Sequence, residues 1–175
     1  MGRLVDDMLL LAKLDQDRPL DTRPVDLARL AGDAAADARA AAPNRDITLD
    51  VTTDETSRGA IVVGDEDRLR QVIANLVGNA LVHTPPGTPI EVHVTHEGDR
   101  ARLEVRDHGP GLPTDQPEHL FERFWRAEGG RERGRGGAGL GLAIVAAIVD
   151  AHGGQVEAAD AADGGASFVV RLPAA

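Results

Sequence analysis

Two asparagines four positions apart, Asn75 and Asn79, stand in the run Gln71-Val72-Ile73-Ala74-Asn75-Leu76-Val77-Gly78-Asn79-Ala80. In a helix this spacing puts both amides on one side, about one turn apart. Among apolar residues that face a core, an amide costs free energy unless its oxygen and nitrogen are paired. A hydrated Mg²⁺ held between such oxygens and ligand phosphates would pair them, because Mg²⁺ takes hard oxygen ligands and keeps waters and phosphates in its shell. Hydrogen bonds to backbone at the edge of the core would pair them equally well.

Three further stretches have chemical potential. Asp107-His108-Gly109-Pro110-Gly111 puts a carboxylate beside two glycines. The carboxylate can accept from an exocyclic amine such as that of adenine, and the glycines let backbone approach a planar base. The same five residues also read as a simple turn. Phe121, Phe124 and Trp125 are three of the chain's four aromatic residues, and Gly136-Gly137-Ala138-Gly139-Leu140-Gly141 follows shortly after. An aromatic hinge beside a glycine tract looks like a lid, and a helix that the tract leads into would offer unpaired amides to phosphate. Arg126, Arg131, Arg133 and Arg135 lie between them in a chain of net charge -10. Local cations in an acidic protein point to an anionic ligand, although a solvated charge run has the same composition.

Composition narrows the choices. At 175 residues the chain has room for one domain and a short appendage. A pI near 5.0 argues against nucleic acid, which needs a broad basic face. Lys13 is the single lysine, so no phosphate-binding P-loop is available. The absence of cysteine removes disulfides, thiolate metal sites and thiol nucleophiles, and it fits a cytoplasmic protein. The apolar run Met8 to Ala12 is too short to span a bilayer, so no membrane contact is expected.

These residues need elements to position them. Arg3 to Asp15 reads as an amphipathic helix with a stripe of Leu4, Met8 and Leu11, widened by Val5, Leu9 and Ala12. Pro19 and Pro24 mark a linker, with Arg23 to Asp26 extended. Leu27 to Ala42 is an alanine-rich helix, and 47–51 and 60–63 are strands. Asp65 caps a long helix to Val82 whose buried face is Leu69, Val72, Ile73, Leu76, Val77 and Ala80. The alternating segments 90–95 and 101–106 form an antiparallel hairpin. A helix from Leu140 to Ala151 stops at Gly153-Gly154, and strands 155–159 and 167–172 finish the chain. The order predicts an α/β, two-layer α+β architecture with helices on one face of a mixed sheet.

Together these motifs resemble the ATP-binding domains of the GHKL group with the Bergerat fold, and within it the sensor histidine kinases. Gln71 to Pro85 is similar to their asparagine box, Asp107 to Gly111 to their first glycine box, Leu120 to Arg126 to their phenylalanine box, and Gly137 to Ile144 to their second glycine box. The resemblance covers nearly the whole chain, and it implies ATP and Mg²⁺ as cofactors. It implies that Asn79 coordinates Mg²⁺ with help from Asn75, that Asp107 reads the adenine amine, and that Gly109 and Gly111 admit the base. By the same resemblance Gly137, Gly139 and Gly141 hinge the lid, with Leu140 and Leu142 in the same box. Phe121 anchors its other end, and Arg126, with Arg123 as its rival, meets the γ-phosphate. The family's usual lysine and tyrosine at the end of the asparagine box are replaced by Val82 and His83. His83 can stack on adenine or simply favour the helix C-terminus.

The same resemblance divides the chain. Residues 1–18 are similar to the end of a dimerisation and phosphoacceptor helix, 19–26 to a linker, and 27–175 to the catalytic domain. None of His83, His93, His96, His108, His119 or His152 stands in the context of a phosphoacceptor. The expected function is transfer of the γ-phosphoryl group of ATP to a histidine on a dimerisation domain that these residues do not contain, and indirectly to a response regulator. The chain would be cytoplasmic, or the cytoplasmic part of a membrane-anchored sensor. The alternatives are a naturally split subunit acting in trans, an anti-sigma-type serine kinase, and an ATP-gated module.

Overall fold

A computed structural model describes residues 2–14, 20–52, 59–125 and 139–175. Its elements are α1 (Gly2–Leu14), β1 (Arg23–Asp26), α2 (Leu27–Ala41), β2 (Ile47–Thr52), β3 (Ile61–Gly64), α3 (Glu66–His83), β4 (Ile90–Glu97), β5 (Arg100–Asp107), a 3₁₀ turn (Pro117–Phe121), α4 (Gly141–Ala151), β6 (Gln155–Asp160) and β7 (Ala166–Pro173).

Five strands form one sheet in the order β2-β4-β5-β7-β6. The β2–β4 pair is parallel, and the other three pairs are antiparallel. Alternation fixes the register, because a slip of one residue would turn the apolar set outward. Ile90, Val92 and Val94 of β4, Ala101, Leu103 and Val105 of β5, and Phe168, Val170 and Leu172 of β7 are all buried. They meet Leu30, Ala31 and Ala35 of α2, Leu69, Ile73 and Leu76 of α3, and Ile144 and Ile148 of α4 in one core. The expected two-layer arrangement, with helices on a mixed sheet, is the one found.

Helices α2 and α3 start where their capping residues place them. Asp26 Oδ1 accepts from the amides of Ala28 and Arg29 at 2.9 and 3.3 Å, and Asp65 Oδ1 accepts from Arg68 N at 3.2 Å. Such caps satisfy amides that the first helical turn leaves open. His152 joins two helix ends, since its Nε2 accepts from Asp65 N at 3.0 Å while Nδ1 lies 2.7 Å from the carbonyl of Ile148. That pair of contacts selects the tautomer with the proton on Nδ1.

Two features differ from the sequence pattern. Strand β3 stays out of the main sheet and pairs antiparallel with β1, with Val25 opposite Val62. Both valines are buried, so Arg23–Asp26 is packed structure as well as extended chain. The pair is tied to the end of β7 by the Val62–Ala174 bridge and by Ala175 N donating to Ile61 O at 2.8 Å. Helix α1, for its part, contacts α4 through Leu10 and Leu11, while Leu4, Val5, Met8 and Leu9 are exposed. The buried side is therefore centred on Leu10 and Leu11 and excludes most of the predicted stripe.

Candidate functional site

Strand parity explains where Asp107 sits. Ala101, Leu103, Val105 and Asp107 all point to the helix-covered side of β5, so the last member of an apolar row is a carboxylate only 5% exposed. A buried carboxylate is costly unless hydrogen-bonded. Here Oδ1 accepts from Gly109 N at 2.9 Å and from Ala166 N at 3.3 Å. Both bonds use Oδ1, which leaves Oδ2 to a ligand with a hydrogen to donate.

Close packing holds the surrounding turn. A β-carbon on Gly109 would lie 2.7 Å from Thr84 Cγ2 and 2.9 Å from Asp107 Oδ1, so only glycine fits between them. Gly111 follows with φ +90°, and beside it Asp160 Oδ1 accepts from Leu112 N at 2.6 Å. At Gly165, φ is +88°, and a β-carbon would lie 2.7 Å from the carbonyl carbon of Asp107. The β6–β7 turn thus closes against Asp107 by backbone contact alone. His108, of opposite parity to Asp107, turns away and pairs with Glu91 Oε1 at 2.8 Å. The His108 bond, and after it the His93 bond at 3.1 Å, hold the Glu91 carboxyl below its ordinary value.

The helix α3 faces this turn with its C-terminal end. Asn75 and Asn79 are both half-buried on it. Asn75 Nδ2 donates to Gly141 O at 3.1 Å, which orients that amide and joins α3 to the start of α4. The side chain of Asn79 has no hydrogen bond to another described residue, so its oxygen is available to a hard cation. Among the described residues no group of three or more His, Asp or Glu side chains is placed to hold a metal. A cation held by one or two amide oxygens plus ligand phosphates needs no such group, so this donor set fits Mg²⁺. His83 is exposed at the end of α3.

The described ends of the stretch expected to form a lid meet. Phe124 N donates to Gly139 O at 3.0 Å, with Phe124 at φ +62° and 55% exposed. Gly139, at φ +74°, has no room for a side chain, since a β-carbon would lie 2.8 Å from Trp125 O. Phe121 and Trp125 pack against the core, as does Leu142. Leu140 is buried at 2% exposure, so only its backbone is left to face a ligand. Helix α4 begins without a side-chain cap, and its first amides are open to an anion. Arg123 is exposed. Arg126 and Gly137, with the other lid arginines, lie outside the described residues.

Sequence reading overlooked Arg45, Thr84, Asp160, Gly165 and Ala166. The Gly164-Gly165 doublet before the last strand is a turn signal that marks one of them. Arg45 and Asp160 carry no local signal, because each acts across a long stretch of chain.

Comparison with known proteins shows the family and the fold. Residues 64–175 match the family of histidine kinase-, DNA gyrase B-, and HSP90-like ATPases. The chain is 44% identical over 171 residues to the probable sensor histidine kinase TcrY of Mycobacterium tuberculosis, covering 98% of this chain and 35% of that protein. It is 38% identical to the signal transduction histidine-protein kinase BaeS of Escherichia coli, covering 99% of this chain and 37% of that one. The chain thus spans roughly a third of the length of these curated relatives. Among solved structures, full-length ShkA in complex with AMPPNP superposes with a TM-score of 0.80 at 30% identity, over 99% of this chain and 35% of that one. The mycobacterial sensor histidine kinase MprB superposes with a TM-score of 0.74 at 29% identity, over 87% of this chain and 97% of that one.

Proposed function

Since this chain belongs to the histidine kinase-, DNA gyrase B-, and HSP90-like ATPase family, we propose that it binds Mg-ATP between α3, the Asp107 turn and the lid, as the catalytic part of a sensor histidine kinase. The γ-phosphoryl group passes to a histidine of a dimerisation domain outside these 175 residues, and from there to a response regulator. The observation that carries the reading is Asp107, buried at 5% exposure, anchored through Oδ1 and with Oδ2 left over.

The family resemblance supports the following roles. Asp107 Oδ2 accepts the adenine amine, Gly109 and Gly111 pass close to the base, and His83 stacks on it. Asn79 and Asn75 would hold Mg²⁺. The bound ion would neutralise phosphate charge, which is most of what phosphoryl transfer requires besides positioning. Gly137, Gly139 and Gly141, with the backbone of Leu140 and Leu142, close the lid over the phosphates. Phe121 anchors the lid's other end, and Arg126 or Arg123 supplies a cation to the γ-phosphate. The exposed apolar residues of α1, Leu4, Val5, Met8 and Leu9, support a helical partner. No helix among the described residues is long and apolar enough to cross a membrane. The chain works in the cytoplasm, where ATP is.

Nucleotide titration tests the reading. Asp107→Asn lowers ATP affinity by at least tenfold and leaves GTP affinity nearly unchanged; equal losses for both nucleotides would remove Asp107 as the base reader. Asn79→Asp abolishes Mg-dependent binding or transfer while the fold, followed by circular dichroism, persists. With labelled ATP, the chain alone stays unlabelled, and a phosphoacceptor domain supplied in trans takes up acid-labile phosphate. Rapid hydrolysis without transfer would instead indicate an ATP-gated module.

A further inference from the structure

The guanidinium of Arg45 makes four hydrogen bonds at one place. Nη1 donates to Thr84 Oγ1 at 2.6 Å and to Thr88 O at 3.0 Å, while Nη2 donates to Leu81 O and to Thr84 O, both at 3.0 Å. Arg45 itself is fixed at its root, in the turn between α2 and β2, where its amide donates to Ala42 O at 2.9 Å. It therefore supplies the C-terminal end of α3 with donors and a positive charge, where the helix presents unpaired carbonyls and the negative end of its dipole.

The consequence reaches the nucleotide site through Thr84. The threonine hydroxyl donates to Ala80 O at 2.6 Å and accepts from Arg45, so its rotation is fully determined. Its remaining branch, Cγ2, is aimed at Gly109, where a β-carbon would lie 2.7 Å away. Gly109 in turn donates to Asp107 Oδ1. Thr84 is 7% exposed and Asp107 5%, so water has little room to soften these contacts.

From this chain of contacts we infer that Arg45 is a positioning residue for adenine recognition. It sets Thr84, Thr84 seats Gly109, and Gly109 holds the Asp107 carboxylate in the orientation that leaves Oδ2 facing the base. Arg45 needs no contact with nucleotide to do this. A lysine cannot replace it, because an ammonium lacks the planar fork that reaches four acceptors at once. The inference rests on the reading of the site as an ATP site.

The test is a double-mutant cycle read in ATP and GTP affinity, with thermal melts alongside. Arg45→Lys lowers ATP affinity five- to tenfold and GTP affinity less than twofold. In the Asp107→Asn background the same substitution changes ATP affinity less than twofold, because the carboxylate it positions is gone. Thr84→Ser keeps both hydroxyl bonds and removes only the methyl that seats Gly109, so it lowers ATP affinity several-fold with the melt nearly unmoved. It serves where Arg45→Lys fails to fold. Equal ATP losses with and without Asp107, or full ATP affinity in Thr84→Ser, would overturn the inference while leaving the ATP site standing. Failure of the unsubstituted chain to bind ATP would overturn the reading beneath it and the inference with it.

Discussion

Asp107 is held from three directions: by Gly109 and Thr84 on the α3 side, by Ala166 N on β7, and by the backbone of Gly165 closing from the β6–β7 turn. Asn75, at the other end of the site, has a side-chain tie to Gly141, and Asn79 has no side-chain bond to a described residue. The first region is built as part of the core, with its geometry set before any ligand arrives. The second keeps its polar atoms available and relies on whatever it binds to complete them. If the site takes ATP as proposed, selection of the base would belong to the rigid region and handling of the phosphates to the open one.

The comparison breaks most visibly at Gly165. Replacing it with valine demands a left-handed backbone from a β-branched residue and drives a side chain into Asp107. A loss of roughly 3 kcal/mol or more, measured by denaturant unfolding, is expected, with ATP affinity down by more than tenfold. Retained stability would mean that the β6–β7 turn does not clamp Asp107. Asn75→Ala probes the other end. It removes one partly exposed bond, so stability falls by only about 0.5–1 kcal/mol, while phosphoryl transfer to an acceptor supplied in trans drops by at least a hundredfold. A stability loss as large as that at Gly165 would erase the distinction between the two ends.

The smallest effect lies beside the lid. His119 bonds Glu122 Oε1 at 2.6 Å through Nδ1 and Gln116 Oε1 at 2.7 Å through Nε2. The hydrogen bond to Glu122, and then its charge, raise the imidazole above its ordinary 6.5. A raised folded value means that this pair stabilises the structure fully below pH 6.5 and loses its contribution as pH climbs through the folded value. NMR titration should place His119 above 6.5, and Glu122→Gln should bring it back down. An unchanged titration would remove the pair as the cause.

Much of this was legible in the sequence, for reasons that are physical. The buried face of α3 was readable because Leu69, Val72, Ile73, Leu76, Val77 and Ala80 recur at helical spacing, and all six are buried. Asp65 was readable as a cap because capping is local. The inward row of β5 was readable as alternation, and Asp107 is its final member. What escaped is nonlocal. Arg45 meets Thr84 across 39 positions and Asp160 meets Leu112 across 48, and neither separation leaves a periodic trace. The pairing of β1 with β3 escaped for the same reason, since four-residue strands carry too little alternation to announce a partner. Helix α1 misled in another way: its apolar residues run nearly all round, so composition alone did not choose the side that α4 covers.

The hydrogen bond from Phe124 to Gly139 has a consequence for how this fold can vary. It fixes Phe124 and Gly139 next to each other, whatever the chain between them contains. Closure entropy grows only with the logarithm of loop length, so doubling that segment would cost about 0.6 kcal/mol. A change in the length of that segment thus costs the fold little. Changes of length between these two ends would therefore leave the packing around Asp107 undisturbed.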